Sequence, residues 1–247
     1  MIPHYKKNTP FITTEQMIEV DRIMMEDLGI SLTQMMENAG LNLAVLARGL
    51  FLNNELKEKK VIVIAGSGGN GGGALVAARR LASWGAEVSV LLSSAKGSIK
   101  KETKQQLEII KNLNIPMVDK IHSADLIMDG MIGYSVSGNP KTKVAELIES
   151  VNTSGIPVLS LDTPSGLDLT TGVPGKPTIK ANATMTIALP KLGLYKMKAS
   201  KLIGDLYLAD ISVPPQVYKS FDIDPSQVAE IFLQGTVIKI NKMVVFS

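Results

Sequence analysis

Residues 61–85, VIVIAGSGGNGGGALVAARRLASWG, decide the fold. Four β-branched residues run straight into Gly66, Gly68, Gly69, Gly71, Gly72 and Gly73, and an alanine- and leucine-rich stretch with helical spacing follows. A short apolar run of this kind reads as a buried strand, and the glycines let the backbone turn sharply towards a helix. The free amides at the start of that helix, with no side chain in the way, make a place for an anion such as a phosphate or diphosphate. No Gly-Lys-Ser/Thr follows, so the stretch is not a P-loop, and the Gly66-x-Gly68-x-x-Gly71 spacing alone is a weak dinucleotide signal.

Downstream, the same alternation repeats. VSVLLSS from Val88, the run ending LIMDG at Asp129–Gly130, VLSLD from Val158 and TMTIAL from Thr184 read as further strands. Between them, residues 72–84, 100–113 and 141–151 carry helical patterns. Strands alternating with helices predict an α/β fold: a three-layer αβα sandwich around a mostly parallel sheet, with the C-terminal strand ends along one edge. Upstream, Thr13-Thr14-Glu15-Gln16 predicts a capping box, with Met17, Val20, Ile23 and Met24 as the apolar stripe of a first helix. A second helix is predicted over 31–50, its apolar face carrying Leu32, Met35, Met36, Ala39, Leu43 and Leu46. Residues 53–60 read as an exposed connection, and the tail offers LYLADISV, Pro214-Pro215 and a last strand-like VIKI.

Composition narrows the function. The 247 residues are 45% hydrophobic and 20% charged, enough for one large core, and no linker divides them, so 1–247 reads as one domain. A net charge of +3, dispersed along the chain, gives no footprint for nucleic acid. No apolar run approaches the roughly 20 residues of a membrane span, and the N-terminus has no signal-peptide core. The absence of cysteine excludes thiolate metal sites and a cysteine nucleophile and fits a cytoplasmic protein. The two histidines, His4 and His122, lie away from the glycines and acids, which argues against histidine catalysis.

Three strand ends then converge on one edge, where ligands bind in such sheets. The first carries the glycines. The second ends in Asp129 and continues through Gly133, Ser135, Ser137 and Gly138, and the third ends in Asp162 followed by Pro164, Ser165 and Gly166. Either acid taken alone can be a turn or helix cap. Lys191, in ALPKLGLY, follows another strand and reads equally as a substrate or charge-stabilising group and as a solvated lysine.

Taken in order, TTEQMIEVDRIMMEDLGI, MMENAG, GGNGGG with LVAARRL, MDGMIG, LDTPSGLDLTTG, ALPKLGLY and LYLADISVP resemble the YjeF N-terminal domain family over about residues 12–217. Its enzyme members are NAD(P)H-hydrate epimerases with a Rossmann-like fold. The resemblance implies interconversion of the R and S forms of hydrated NADH or NADPH, for a separate dehydratase to act on. It implies cofactor binding by Gly69, Asn70, Gly71, Gly72 and Gly73, by Gly133, Tyr134, Ser135, Val136, Ser137 and Gly138, and by Asp162. It also implies potassium held by Asn70, Asp129 and Ser165, and a homodimer. Asp162 is the first candidate for proton transfer, with Lys191 beside it. The family's first loop usually reads as two asparagines, two glycines, an aspartate and a glycine; here Gly69 and Gly73 stand in place of the first asparagine and the aspartate. Without that carboxylate, backbone binding carries over better than chemistry, and a non-catalytic nucleotide-binding or scaffold protein is the alternative.

Overall fold

A computed structural model of the chain describes residues 2–94, 98–134 and 138–242. The first helix, α1 (Thr14–Arg22), starts at Thr13, whose hydroxyl accepts from the Gln16 amide while the Gln16 side chain accepts from the Thr13 amide. This is the expected capping box. After Arg22 the helix widens into a π-helical turn, Ile23–Asp27, which the 3.6-residue stripe did not announce. A second capping box, Ser31 with Gln34, opens α2 (Leu32–Leu50).

The remaining elements are β2 (Lys60–Ala65), α3 (Gly69–Ser83), β3 (Glu87–Leu92), α4 (Lys101–Asn112), β4 (Met117–Val118), β5 (Leu126–Gly130), α5 (Thr142–Thr153), β6 (Val158–Leu161), β7 (Ala183–Ile187), β8 (Asp205–Ala209), α6 (Pro225–Phe232) and β9 (Val237–Ile240). A short strand β1 (His4–Tyr5) precedes them all, and 3-10 turns span Leu192–Tyr195 and Pro215–Phe221. One sheet holds the nine strands of the described residues in the order β1-β9-β8-β7-β6-β5-β2-β3-β4. Every pairing is parallel except β8 with β9. No helix among the described residues is long and apolar enough to cross a membrane.

The period-2 geometry of a strand explains the layers. Val61, Val63 and Ala65 face α2, α3 and α4 in one core, whereas Ile62 and Ile64 face Leu147, Ile148 and Val151 of α5 in another. Both faces of the central strands are covered, hence the unbroken apolar runs. A third core joins α1, β8, β9 and the tail through Met17, Val20, Leu206, Leu208 and Ile238. Four methionines of the N-terminal helices, Met17, Met24, Met35 and Met36, are buried, whereas Met25 in the π-helical turn is exposed. The 53–60 connection is largely exposed but tucks Leu56 into the first core.

From β2 the chain runs outward to β3 and β4, then crosses back to β5 on the other side. The crevice between the carboxyl ends of β2 and β5 is therefore the place this topology opens for a ligand.

Candidate active site

At that crevice the backbone is packed too closely for side chains. Gly66, directly after β2, donates its N–H to the Gly130 carbonyl at 3.0 Å. A Cβ on Gly66 would lie 1.9 Å from the Met131 carbonyl oxygen, and one on Gly71 would lie 2.1 Å from the Gly66 oxygen. The glycines expected to form a loop before the helix instead form its first turns, because α3 begins at Gly69 rather than at residue 72. Gly68 occupies the N-cap with no side-chain cap, so the leading amides stay available to an anion.

Ser67, Gly68, Gly69 and Asn70 line a cavity of about 520 Å³, within the range of small-molecule sites. Gly71, Gly72 and Gly73 lie behind its wall. Gly72 faces the Met36 thioether, with an added Cβ 2.6 Å from Sδ, and Gly73 faces Leu161 and Ala39. An aspartate at residue 73, where the resemblance places one, would need the Leu161 side chain to shift, because a Cβ there meets Leu161 Cδ2 at 3.0 Å.

Asn70, Asp129 and Ser165 meet around the backbone of Ile132. Asn70 Nδ2 donates to the Ile132 and Leu161 carbonyls at 3.1 and 2.9 Å, and the Ile132 amide donates to Ser165 Oγ at 2.9 Å. Asp129 is wholly buried and accepts from the Met131 amide, the Ser160 hydroxyl and both the amide and hydroxyl of Ser165, the last at 2.6 Å. All four donors are neutral. Burial pushes the Asp129 carboxyl up, and these hydrogen bonds offset only part of the effect. A buried carboxylate with neutral donors, beside a serine hydroxyl and a carboxamide, is an all-oxygen set that fits a hard cation supplying the missing positive charge.

Asp162 follows β6 with φ of +64°, a left-handed conformation that non-glycine residues adopt at some cost. Its amide donates to the Met185 carbonyl at 2.7 Å, which holds the turn against β7. Lys191 Nζ donates to Asp162 Oδ1 at 2.5 Å and to the Ile187 carbonyl at 3.0 Å, and Thr186 Oγ1 lies 3.3 Å from the same carboxylate oxygen. Oδ2 of Asp162 is buried without a partner among the described residues, and the residue lines the cavity. Lys191, read from the sequence as either solvated or substrate-facing, is fully buried and is not part of the cavity lining. It stands behind Asp162 and positions it. A parallel bridge between Ile12 and Lys191 fixes that stretch of backbone.

Of the second loop, Gly133 and Tyr134 line the cavity, and Gly133 is pressed against the Asn70 side chain. Gly138, at φ +84°, is not in the lining, and Ser135, Val136 and Ser137 lie outside the described residues. Among the described residues no cluster of three or more histidine, cysteine, aspartate or glutamate side chains is placed to hold a metal.

One participant escaped the sequence reading. Asp21 of α1 lines the cavity, and the Tyr134 hydroxyl donates to its Oδ2 in a short hydrogen bond. The available signal was an acid set into the apolar stripe of Met17, Val20 and Met24, where an ordinary surface carboxylate would not sit.

A family model described as YjeF-related protein N-terminus matches residues 32–193. The chain is 39% identical over 211 residues to an NAD(P)H-hydrate epimerase of Dehalogenimonas lykanthroporepellens, covering 84% of each protein. It is 28% identical over 222 residues to one from Rhodopirellula baltica, covering 87% of this chain and 89% of that protein. A bifunctional NAD(P)H-hydrate repair enzyme, Nnr, of Moorella thermoacetica is 31% identical over 218 residues, which are 83% of this chain and 41% of that one. In fold, the crystal structure of the yeast protein ynu0 (YNL200c) superposes with a TM-score of 0.78 at 23% identity, over 93% of this chain and 99% of that chain.

Proposed function

This chain belongs to the YjeF-related N-terminal family, and from that premise we propose that it is an NAD(P)H-hydrate epimerase, an isomerase that interconverts the R and S forms of hydrated NADH and NADPH. The observation that carries the chemistry is Asp162. Its carboxylate is buried, Oδ2 has no partner among the described residues, and the residue lines the same cavity as Ser67, Gly68, Gly69 and Asn70 at the start of α3.

The reaction asks for little machinery. The hydroxylated ring carbon is bonded to the ring nitrogen, whose lone pair expels the hydroxyl group as water once that group is protonated. The resulting iminium is planar, and water adds to either face. A carboxyl group held at that carbon can give the proton and take it back. Lys191 and Thr186 fix Asp162 Oδ1, so that Oδ2 is the oxygen left for the substrate. The apolar wall of Leu32, Met35 and Met36 keeps bulk water from the iminium.

We propose potassium as the cation for Asn70, Asp129 and Ser165, where its charge would offset the substrate phosphates. The Ser67–Asn70 turn would hold those phosphates, with Gly133 and Tyr134 on the opposite wall. The bifunctional relative supports a functional coupling to a dehydratase that consumes the S form. Such a repair reaction belongs where nicotinamide dehydrogenases work, and we propose that this protein acts in the cytoplasm. We further propose a homodimer in which a second copy covers the exposed Ile18, Met25 and Leu28.

The test combines purified protein, an R and S mixture of hydrated NADH and an excess of S-specific dehydratase in potassium buffer. Recovery of NADH from the R form faster than its spontaneous epimerisation is the expected result. Recovery at the spontaneous rate, with nucleotide still bound, would leave a binding protein that performs no chemistry. Light scattering on the same sample should give twice the chain mass.

A further inference from the structure

Inversion raises a geometrical difficulty that one carboxylate does not solve. In a ring bound in one orientation, the hydroxyl leaves from one face and water must enter from the other, while Asp162 is anchored by Lys191 and the 162 turn and serves one side only. Three acids line the cavity: Asp162, Asp21 and Glu26. Glu26 is two-thirds exposed and is paired with Arg22 at 3.4 Å. Asp21 is different, being largely enclosed, with only Oδ2 engaged among the described residues. It projects from α1, whereas Asp162 comes from the sheet edge, and Tyr134 lines the same cavity as both. The Tyr134 hydroxyl is on Asp21, and its ring centroid lies 5.8 Å from the Nζ of Lys191, the partner of Asp162.

Resting on the epimerase reading above, we propose that Asp21 is a second catalytic residue, exchanging protons at the ring face opposite to the one served by Asp162. In one direction, the protonated carboxyl on the departing side gives its proton to the hydroxyl. The carbon–oxygen bond then breaks, water leaves with the electron pair, and the nitrogen lone pair makes the iminium. A water on the other face adds to the carbon, the nitrogen recovers its lone pair, and the carboxylate there takes the released proton. One water leaves and one enters, and a single proton has in effect crossed from one carboxyl group to the other. The reverse reaction uses the two groups with their roles exchanged. Burial, which raises the Asp21 carboxyl, supports its carrying a proton for this purpose.

The experiment follows each epimer separately in oxygen-18 water. The wild type should invert both epimers and label both. Asp21→Asn keeps an acceptor for the Tyr134 hydroxyl, so the fold is retained. Inversion by this variant should fall by at least about 100-fold, the low end of what a positioned proton-transfer group contributes. It should still label the one epimer whose hydroxyl faces Asp162, without inverting it. Wild-type inversion by Asp21→Asn, or equal loss of labelling in both epimers, would overturn the assignment while leaving the function in place. A wild-type protein that neither inverts nor labels either epimer would overturn the function, and the assignment with it.

Discussion

Lys191 has no exposed surface and Asp162 has 1%, yet they are joined at 2.5 Å, so each is the other's counter-charge. Removing one leaves the other buried and unpaired, which costs about 3–5 kcal/mol. Asp162→Asn is therefore expected to lower stability as well as abolish turnover, and Lys191→Met should destabilise comparably. The Asp162→Asn/Lys191→Met double variant should lose less than the sum, a coupling readable from urea midpoints; strict additivity would mean that the pair contributes nothing jointly. Asp21 makes a pH-dependent prediction of its own. Burial is the largest influence raising its carboxyl above the ordinary 3.8, and the Asp162 charge adds to the rise, while the Tyr134 hydrogen bond and the Lys191 charge pull the other way. The folded state then binds this proton more tightly than the unfolded chain, so stability from this group is greatest at low pH and falls as pH rises from the unfolded value through the raised one. Asp21→Asn removes that dependence. Its stability relative to wild type should improve as pH rises above the ordinary carboxylate range, and a constant difference would refute the shift. Asp129 and Asp162 were legible because a charge ending an apolar strand has no packing reason to be there. Asp21 was harder to find, since an acid every few residues is what an amphipathic helix shows, and only its place on the buried stripe sets it apart.

The glycine run shows how much one element owes to its neighbours. Its strand, its helix and the anion-ready turn between them were readable from spacing, but which glycines face the ligand was not. That is settled by β5, which runs beside β2 and brings the Met131 carbonyl against Gly66. Gly66→Ala would force the two strand ends apart, and a cost of about 3 kcal/mol or more is expected from overpacking against backbone. Gly68→Ala meets nothing within 4 Å and should change stability by no more than about 0.5 kcal/mol. Thermal denaturation of both variants separates the cases, and equal melting temperatures would contradict the packing. The same dependence on neighbours explains the elements the sequence did not disclose. The strands β1 and β4 have two residues each, too few for any period, and exist because β9 and β3 offer free edges. The π-helical turn is likewise set by where α1 must hand the chain to α2 across the cavity mouth, with Met25 and Glu26 lining it.

Across the whole molecule, the parallel sheet and its convergent strand ends followed from the alternation of strands and helices. The way the chain's two ends close that sheet did not, because it depends on contacts between residues more than 200 positions apart. Lys239 donates its amide to the Pro3 carbonyl, and β9 lies between β1, to which it is parallel, and β8, to which it is antiparallel. The tail also covers α1: Val217, Tyr218, Val228, Ile231, Ile238 and Ile240 share one core with Met17, Val20 and Met24. Deleting residues from 214 onward would expose those partners, and at about 1.5–3 kcal/mol for each buried side chain the loss rivals the whole stability of a domain, about 5–15 kcal/mol. Loss of the cooperative unfolding transition is therefore expected in the truncated chain, even though the glycine turn, Asp129, Asp162 and Lys191 all remain in it. If it instead unfolds cooperatively at the wild-type temperature, α1 does not need the tail. Should a fragment retain partial structure, its losses ought to begin at α1, the helix that brings Asp21 to the cavity, so hydrogen exchange at the Met17–Met24 amides would rise before exchange in β2 and β5.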